Sequence, residues 1–171
     1  MLKFVVAPAL MVTVIGGIAL LSVVAQQAWL TPSIAAAAFT QLFNPLQPGA
    51  RPYSIVLGQI VGALSGFAGV YAAHAANAGK LMGDHDLSWE RAAAVAIAVA
   101  ITAVVQMAVK ARSPAGGTTA VVVAVGVETA NLAGAMRLVV GIVLVAVLGE
   151  IARRILIRVE PKDQLTPSPP A

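Results

Sequence analysis

The sequence predicts an all-α, polytopic membrane protein, and three observations carry that prediction. Of its 171 residues, 59% are hydrophobic and only 11% charged, whereas soluble domains carry about 25% charged residues. The charges stand between long apolar runs rather than inside them. Four of those runs approach or exceed the roughly 20 residues a helix needs to cross the hydrocarbon core, and two others fall far short. The chain has no cysteine, which excludes disulfides and thiolate metal sites. The net charge of +4 comes from basic residues flanking apolar runs, a pattern that orients spans in a membrane and does not point to nucleic acid.

The first span is read over residues 4–25, behind Lys3. A secretory signal is the competing reading, with 23–25 (VVA) as a cleavage site, but a signal's apolar core is about 7–15 residues and this run is longer. Gly16 and Gly17 within it permit close helix contact. Trp29 suits an interface anchor. The second long run, 53–79, carries Gly58, Gly62 and Gly66; a spacing of four puts them on one helix face, where a neighbouring backbone can come close. His74 and Asn77 near its end read as interfacial polar residues. The charged loop 80–91 contains Asp84-His85-Asp86, which reads as a solvated turn rather than a metal site. Ser88 is the expected N-cap of the third span, 92–109. The fourth span covers about 134–157. Within it Glu150 stands three and four residues before Arg153 and Arg154, the spacing of an intrahelical ion pair.

The two short segments are the distinctive feature. Residues 112–128, RSPAGGTTAVVVAVGVE, open on Ser113 as an N-cap and Pro114 at the first helical position. Gly116 and Gly117 leave the backbone open, and Thr118 and Thr119 add hydroxyls. An earlier segment, 34–43, follows Thr31-Pro32-Ser33 and ends at the proline-rich turn 44–52. Each is too short to span alone. The expectation is a pair of re-entrant half-helices whose N–H groups and positive dipole ends meet a ligand near the bilayer midplane.

The two halves of the chain match one another. Thr31-Pro32 corresponds to Ser113-Pro114 at an offset of 82 (113 − 31), and Gly58, Ala63 and Gly66 to Gly141, Ala146 and Gly149 at 83 (141 − 58). The reading is a single transmembrane domain over residues 1–158, with repeat units of about 4–79 and 89–158, and a disordered polar tail over 159–171. Four spans with two re-entrant half-helices are expected; the alternative is six short-to-long spans in an inverted repeat. The positive-inside bias does not separate the two, and either places both termini in the cytoplasm, in a bacterial inner membrane.

The string Arg112-Ser113-Pro114-Ala115-Gly116-Gly117-Thr118-Thr119 resembles the signature of the HPP family of small membrane proteins, His-Pro-Pro-Ala-Gly-Ala-Thr-Ala. The second Pro, the Ala, the Gly and the Thr match, while Arg112 and Ser113 stand where the family has His and Pro. The stretch 45–58, PLQPGARPYSIVLG, is similar to the family's proline-rich turn leading into a span. The resemblance covers about 31–157. It implies a four-spanning protein and association with nitrite transport.

The expected function is therefore transport or channelling of a small inorganic anion, nitrite being the one the resemblance implies. The candidate substrate-binding residues are Thr31, Ser33, Arg112, Ser113, Gly116, Gly117, Thr118 and Thr119. Helix N-termini, hydroxyls and an arginine offer donors to an anion without a fixed negative charge. A non-transporting membrane scaffold or accessory subunit is the alternative, since glycine stripes and alanine-rich spans are all it requires. An enzyme is not expected, because Ser113 has no base beside it in the sequence. The lipid bilayer, the anion and further copies of the chain are the expected partners; no cofactor, metal or nucleic acid is expected.

Overall fold

The computed structural model describes residues 3–79 and 87–160. These form six α-helices, α1 (Lys3–Val24), α2 (Pro32–Phe43), α3 (Pro52–Ala72), α4 (Trp89–Ala108), α5 (Pro114–Ala124) and α6 (Leu132–Val159), with short 3₁₀ turns at Pro48–Ala50 and Ala75–Asn77. The all-α expectation holds. α1, α3, α4 and α6 are long and apolar enough to cross a membrane, and α2 and α5 are the two shorter apolar helices. The Asp84-His85-Asp86 reading and residues 161–171 of the expected tail lie outside the described residues; α6 runs on through Val159, and Glu160 caps it.

Local signals account for most helix ends. Ser88 caps α4 by accepting from the Arg91 N–H, and Asn131 caps α6 by accepting from the Gly134 N–H. Prolines at the first helical position start α2, α3 and α5. The second span is shorter than its apolar run: α3 stops at Ala72, and His74 takes a left-handed conformation with φ of 52° that no helix can continue through. The expected ion pairs of Glu150 with Arg153 and Arg154 form at 2.7 and 2.6 Å.

Two apolar cores organise the bundle. One gathers Ala7, Met11, Val14 and Ile18 of α1, Ile34, Ala37 and Leu42 of α2, and Ile142, Val145 and Leu156 of α6. The other gathers Val70 of α3, Ala94 and Ala98 of α4, and Ala120, Val123 and Ala124 of α5. The two cores sort the helices into two groups of three, α1–α2–α6 and α3–α4–α5, which also pack closely on each other through α2 with α5 and α3 with α6. Ile55 and Ala115 reach into the first core and Leu138 into the second.

The contacts have a symmetry. Exchanging α1 with α4, α2 with α5 and α3 with α6 maps the set of packed helix pairs onto itself. Glycines show it in detail. A Cβ on Gly58 would meet Ser113 and the Ala111 carbonyl, and one on Gly141 would meet Ile34 and the Trp29 carbonyl. Likewise Gly66 abuts Val123, and Gly149 abuts Gln41. Ala111 and Trp29 are 82 residues apart, as are Val123 and Gln41, and the facing glycines are 83 apart, the offsets found in the sequence.

These contacts also fix the direction of the short helices. α5 runs parallel to α3, Ser113 lying at Gly58 and Val123 at Gly66, and antiparallel to α4, with Ser113 at Gln106 and Ala124 at Arg91. α2 runs parallel to α6, from Ile34 at Gly141 to Pro45 at Arg153. Lys3 and Val159 share one end of the bundle, since Leu10 and Val14 pack on Leu148 to Ile155 while Trp29 and Gln27 lie by Ala133 and Met136. A re-entrant segment returns to the end it left. α2 instead leads from the far end toward this terminal end, and α5 leads from the terminal end to the far end, where α6 begins. The residues that lead into each short helix, Thr31 and Ser113, are extended and add to the reach of an 11- or 12-residue helix.

Candidate functional site

The start of α5 is held by three amide and backbone groups. Ser113 is extended at φ −133° and ψ 117°, the N-cap conformation. Its backbone N–H donates to Gln106 Oε1 at 2.8 Å, and Gln106 Nε2 donates to the Gly58 carbonyl at 3.3 Å. One glutamine of α4 thereby ties α5 to α3. The sequence allows this approach because residue 116 is glycine, where a Cβ would collide with Gln106 Nε2 and the Gly58 carbonyl. The expected capping bond is not made. Ser113 Oγ is buried without a hydrogen-bond partner among the described residues.

The candidate residues divide over two faces of α5. Ser113, Gly116 and Thr119 are buried and face α3 and α4. Thr119 Oγ1 donates to the Ala115 carbonyl at 2.9 Å and faces Gln59 Oε1 at 3.3 Å. Arg112 is exposed, and Gly117 and Thr118 are only partly covered. A Cβ on Gly117 would meet nothing within 4 Å. Thr118 Oγ1 donates to the Pro114 carbonyl at 3.2 Å, one turn back, the habit of a helical threonine. Thr31 and Ser33 are both buried on α2 and bond each other through their hydroxyls at 2.9 Å, with no side-chain cap on the helix. Neither short helix carries an acidic residue in its first turn.

Sequence reasoning missed Gln59 and Gln106, and also Gln41 of α2, whose amide is fully buried against Gly149 with no partner at either end among the described residues. Gln59 and Gln106 are buried amides in otherwise apolar spans, and a polar side chain at membrane depth is itself a signal. Gln106 spends both ends of its amide on the backbone of neighbouring elements. Gln59 does not, and its Nε2 has no partner among the described residues.

The other end of α5 meets a buried arginine. Arg91, 4% exposed, donates to the carbonyls of Ala78, Gly79 and Ala124 at 3.1–3.2 Å. A cation at the negative end of a helix is favourable, and here it also joins the end of α5 to the segment after α3. A polar cavity of about 220 Å³ opens beside it, lined by Val70, Arg91, Glu128, Thr129 and Asn131 among others. Glu128 is buried and pairs with Arg137 at 2.6 Å. Tyr71 and Tyr53, near opposite ends of α3, donate to the carbonyls of Ala130 and Val109 on the two connectors of α5.

A family model described as HPP, transmembrane region, matches residues 2–161. The comparison with curated proteins gives no match, and neither does the comparison with solved structures.

Proposed function

The chain belongs to the HPP transmembrane family, and from that premise we propose that it moves a small inorganic anion across the bilayer, with nitrite as the first candidate. The observation that carries this reading is the depth at which the two short helices begin. Ser113 lies at Gly58, four residues before the middle of α3 near Gly62, and Ile34 lies at Gly141, four residues before Val145 near the middle of α6. At 1.5 Å per residue, each helix starts about 6 Å from the middle of its partner. The two starts are approached from opposite ends. In the proposed topology the chain crosses six times as an inverted repeat, and the two positive helix ends flank the bilayer midplane. Such interrupted segments in inverted repeats are where transporters of this architecture hold anionic groups.

Charge supports the orientation. Among the described residues, Lys3, Arg51, Lys110, Arg112, Arg153, Arg154 and Arg158 stand at the terminal end, and Arg91 and Arg137 at the far end. The positive-inside rule then makes the terminal end cytoplasmic. The purified protein in liposomes should pass nitrite down a gradient faster than protein-free liposomes, measured with internal and external pH clamped and nitrate and chloride run beside it. Failure to pass any of the three would leave the membrane-scaffold reading.

A further inference from the structure

We propose that the substrate passes between the two groups of three helices and that Gln59, positioned by Thr119, is the side chain that holds it there. This rests on the anion-transport reading and names its central contact.

The junction is marked by what does not cross it. Among the described residues, the side-chain hydrogen bonds and ion pairs that join separate elements fall within α1–α2–α6, within α3–α4–α5, or on the connectors. Gln106, Thr119, Arg91 and Tyr53 tie α3, α4 and α5 together, and Arg153 ties α6 to the end of α2. The other links reach only the α5–α6 connector, as Tyr71 to Ala130 and Arg137 to Glu128. Where α2 meets α5 and α3 meets α6, no side-chain hydrogen bond spans the two groups. Two groups of helices that no side-chain hydrogen bond joins there can part and close without breaking such bonds. This is the rocking that inverted-repeat carriers use.

Gln59 lies on that seam. Ile55 precedes it by one helical turn and packs into the α1–α2–α6 core, as does Ala115, one turn before Thr119. Residues four apart share a helix face, so Gln59 and Thr119 continue the two faces that α2 and α6 cover. Gln59 is fully buried. At the symmetry-related position, 83 residues on, stands Ile142, and Ala37 stands 82 before Thr119. At these two pairs of positions the repeat is apolar in one copy and polar in the other.

The ligand class follows from the donor count. The Thr119 hydroxyl, whose one proton is shared between the Ala115 carbonyl at 2.9 Å and Gln59 Oε1 at 3.3 Å, lies on the oxygen side of the amide, and Gln59 Nε2 is left with two N–H donors and no acceptor for them among the described residues. A buried donor left unpaired is costly, and an anion with hydrogen-bond-accepting oxygens answers it. Gln59 sits one residue beyond Gly58, against which α5 starts, so the positive potential of that helix end falls close to it. The reversed amide would offer an oxygen and suit a cation instead, and the test separates the two.

The experiment is nitrite flux and thermal stability measured on the same preparations of the parent, Gln59→Leu, Gln59→Glu and Thr40→Val. Gln59→Leu should cut flux by roughly tenfold or more, the loss of a hydrogen bond to a charged group, while its melting temperature is unchanged or higher. Gln59→Glu should abolish flux. Thr40→Val, on the opposite flank of α2 and bonded to its own helix, should match the parent. A parent with no anion flux sinks the transport reading itself. A transporting parent whose flux survives Gln59→Leu, or falls only in step with its melting temperature, overturns the role given to Gln59. A Gln59→Glu protein that conducts as well as the parent, or takes up a cation, overturns the anion assignment.

Discussion

Gly62 and Gly116 meet backbone to backbone. The position that a Gly62 Cβ would occupy is filled by the carbonyl of Gly116, and Gly116 has Gly58 and Gln106 on its own open side. The glycine stripe of α3 is therefore used inside the protomer, as the bed on which α5 lies. Membrane helices gain no hydrophobic drive from packing on one another, so such close backbone contact supplies much of what holds them.

A methyl group at Gly62 has no flexible neighbour to displace. Gly62→Ala should destabilise the protein in detergent by about 1–3 kcal/mol, the usual cost of overpacking. Gly117→Ala meets nothing within 4 Å and should be neutral, or stabilising by up to about 1 kcal/mol through helix propensity. Paired melting curves decide this, and equal curves would mean that α3 and α5 are not in backbone contact.

Arg91 is expected to matter through geometry rather than charge alone. Its guanidinium satisfies three carbonyls, and Arg91→Met would strand them at about 1–3 kcal/mol for each that stays buried. Arg91→Lys should recover little, because a point ammonium cannot copy the planar fork. Hydrogen exchange should show the loss first at Ala124–Gly126 and the 78–79 segment. A uniform increase along the chain would argue against a local clamp.

Glu128 and Arg137 join the α5–α6 connector to α6, with side chains 5% and 29% exposed. Removing Arg137 alone leaves a buried carboxylate unpaired and should cost more than removing both partners. In a double-mutant cycle of Arg137→Leu and Glu128→Gln, a coupling of about 0.5–3 kcal/mol is expected. Additive effects would show that the pair is not coupled.

Much of the fold was legible because its signals are local. Ser88, Asn131, the N1 prolines and the Glu150–Arg153–Arg154 cluster act within one helical turn. The face made by Gly58, Gly62 and Gly66 was equally plain, but the helix lying on it was not, since Gly62 and Gly116 are 54 residues apart (116 − 62). The path of the short helices was read as re-entrant from their length. Length counts only the helical residues and leaves out the non-helical connectors at 25–31, 109–113 and 125–131, which lengthen the path of the short helices. Of the candidate site, the hydroxyls and glycines of α5 were visible and their division over two faces was not. Gln59 and Gln106 are single amides in apolar runs, and only the fold distinguishes the one that is spent on backbone from the one that is not.

The division of faces sharpens the test of the α5 start. Both threonines donate to a carbonyl one turn back, but only Thr119 also lies against Gln59, so Thr118→Val should reduce anion flux less than Thr119→Val. Gly117→Asp tests the electrostatics without disturbing the packing. Its carboxylate has open room, and a negative charge in the first turn stabilises a helix by about 0.3–1 kcal/mol, so the protein should fold and melt as the parent does. A like charge about 8 Å from a bound anion, across the width of the helix, costs about 2 kcal/mol at the effective dielectric of protein sites, roughly thirtyfold in binding. Flux should therefore fall by about that factor, while the neutral Gly117→Asn should stay within about threefold of the parent, less than 1 kcal/mol. If Asp and Asn behave alike, no anion comes near the start of α5, and the positive end of that helix serves only to anchor it against Gln106 and Gly58.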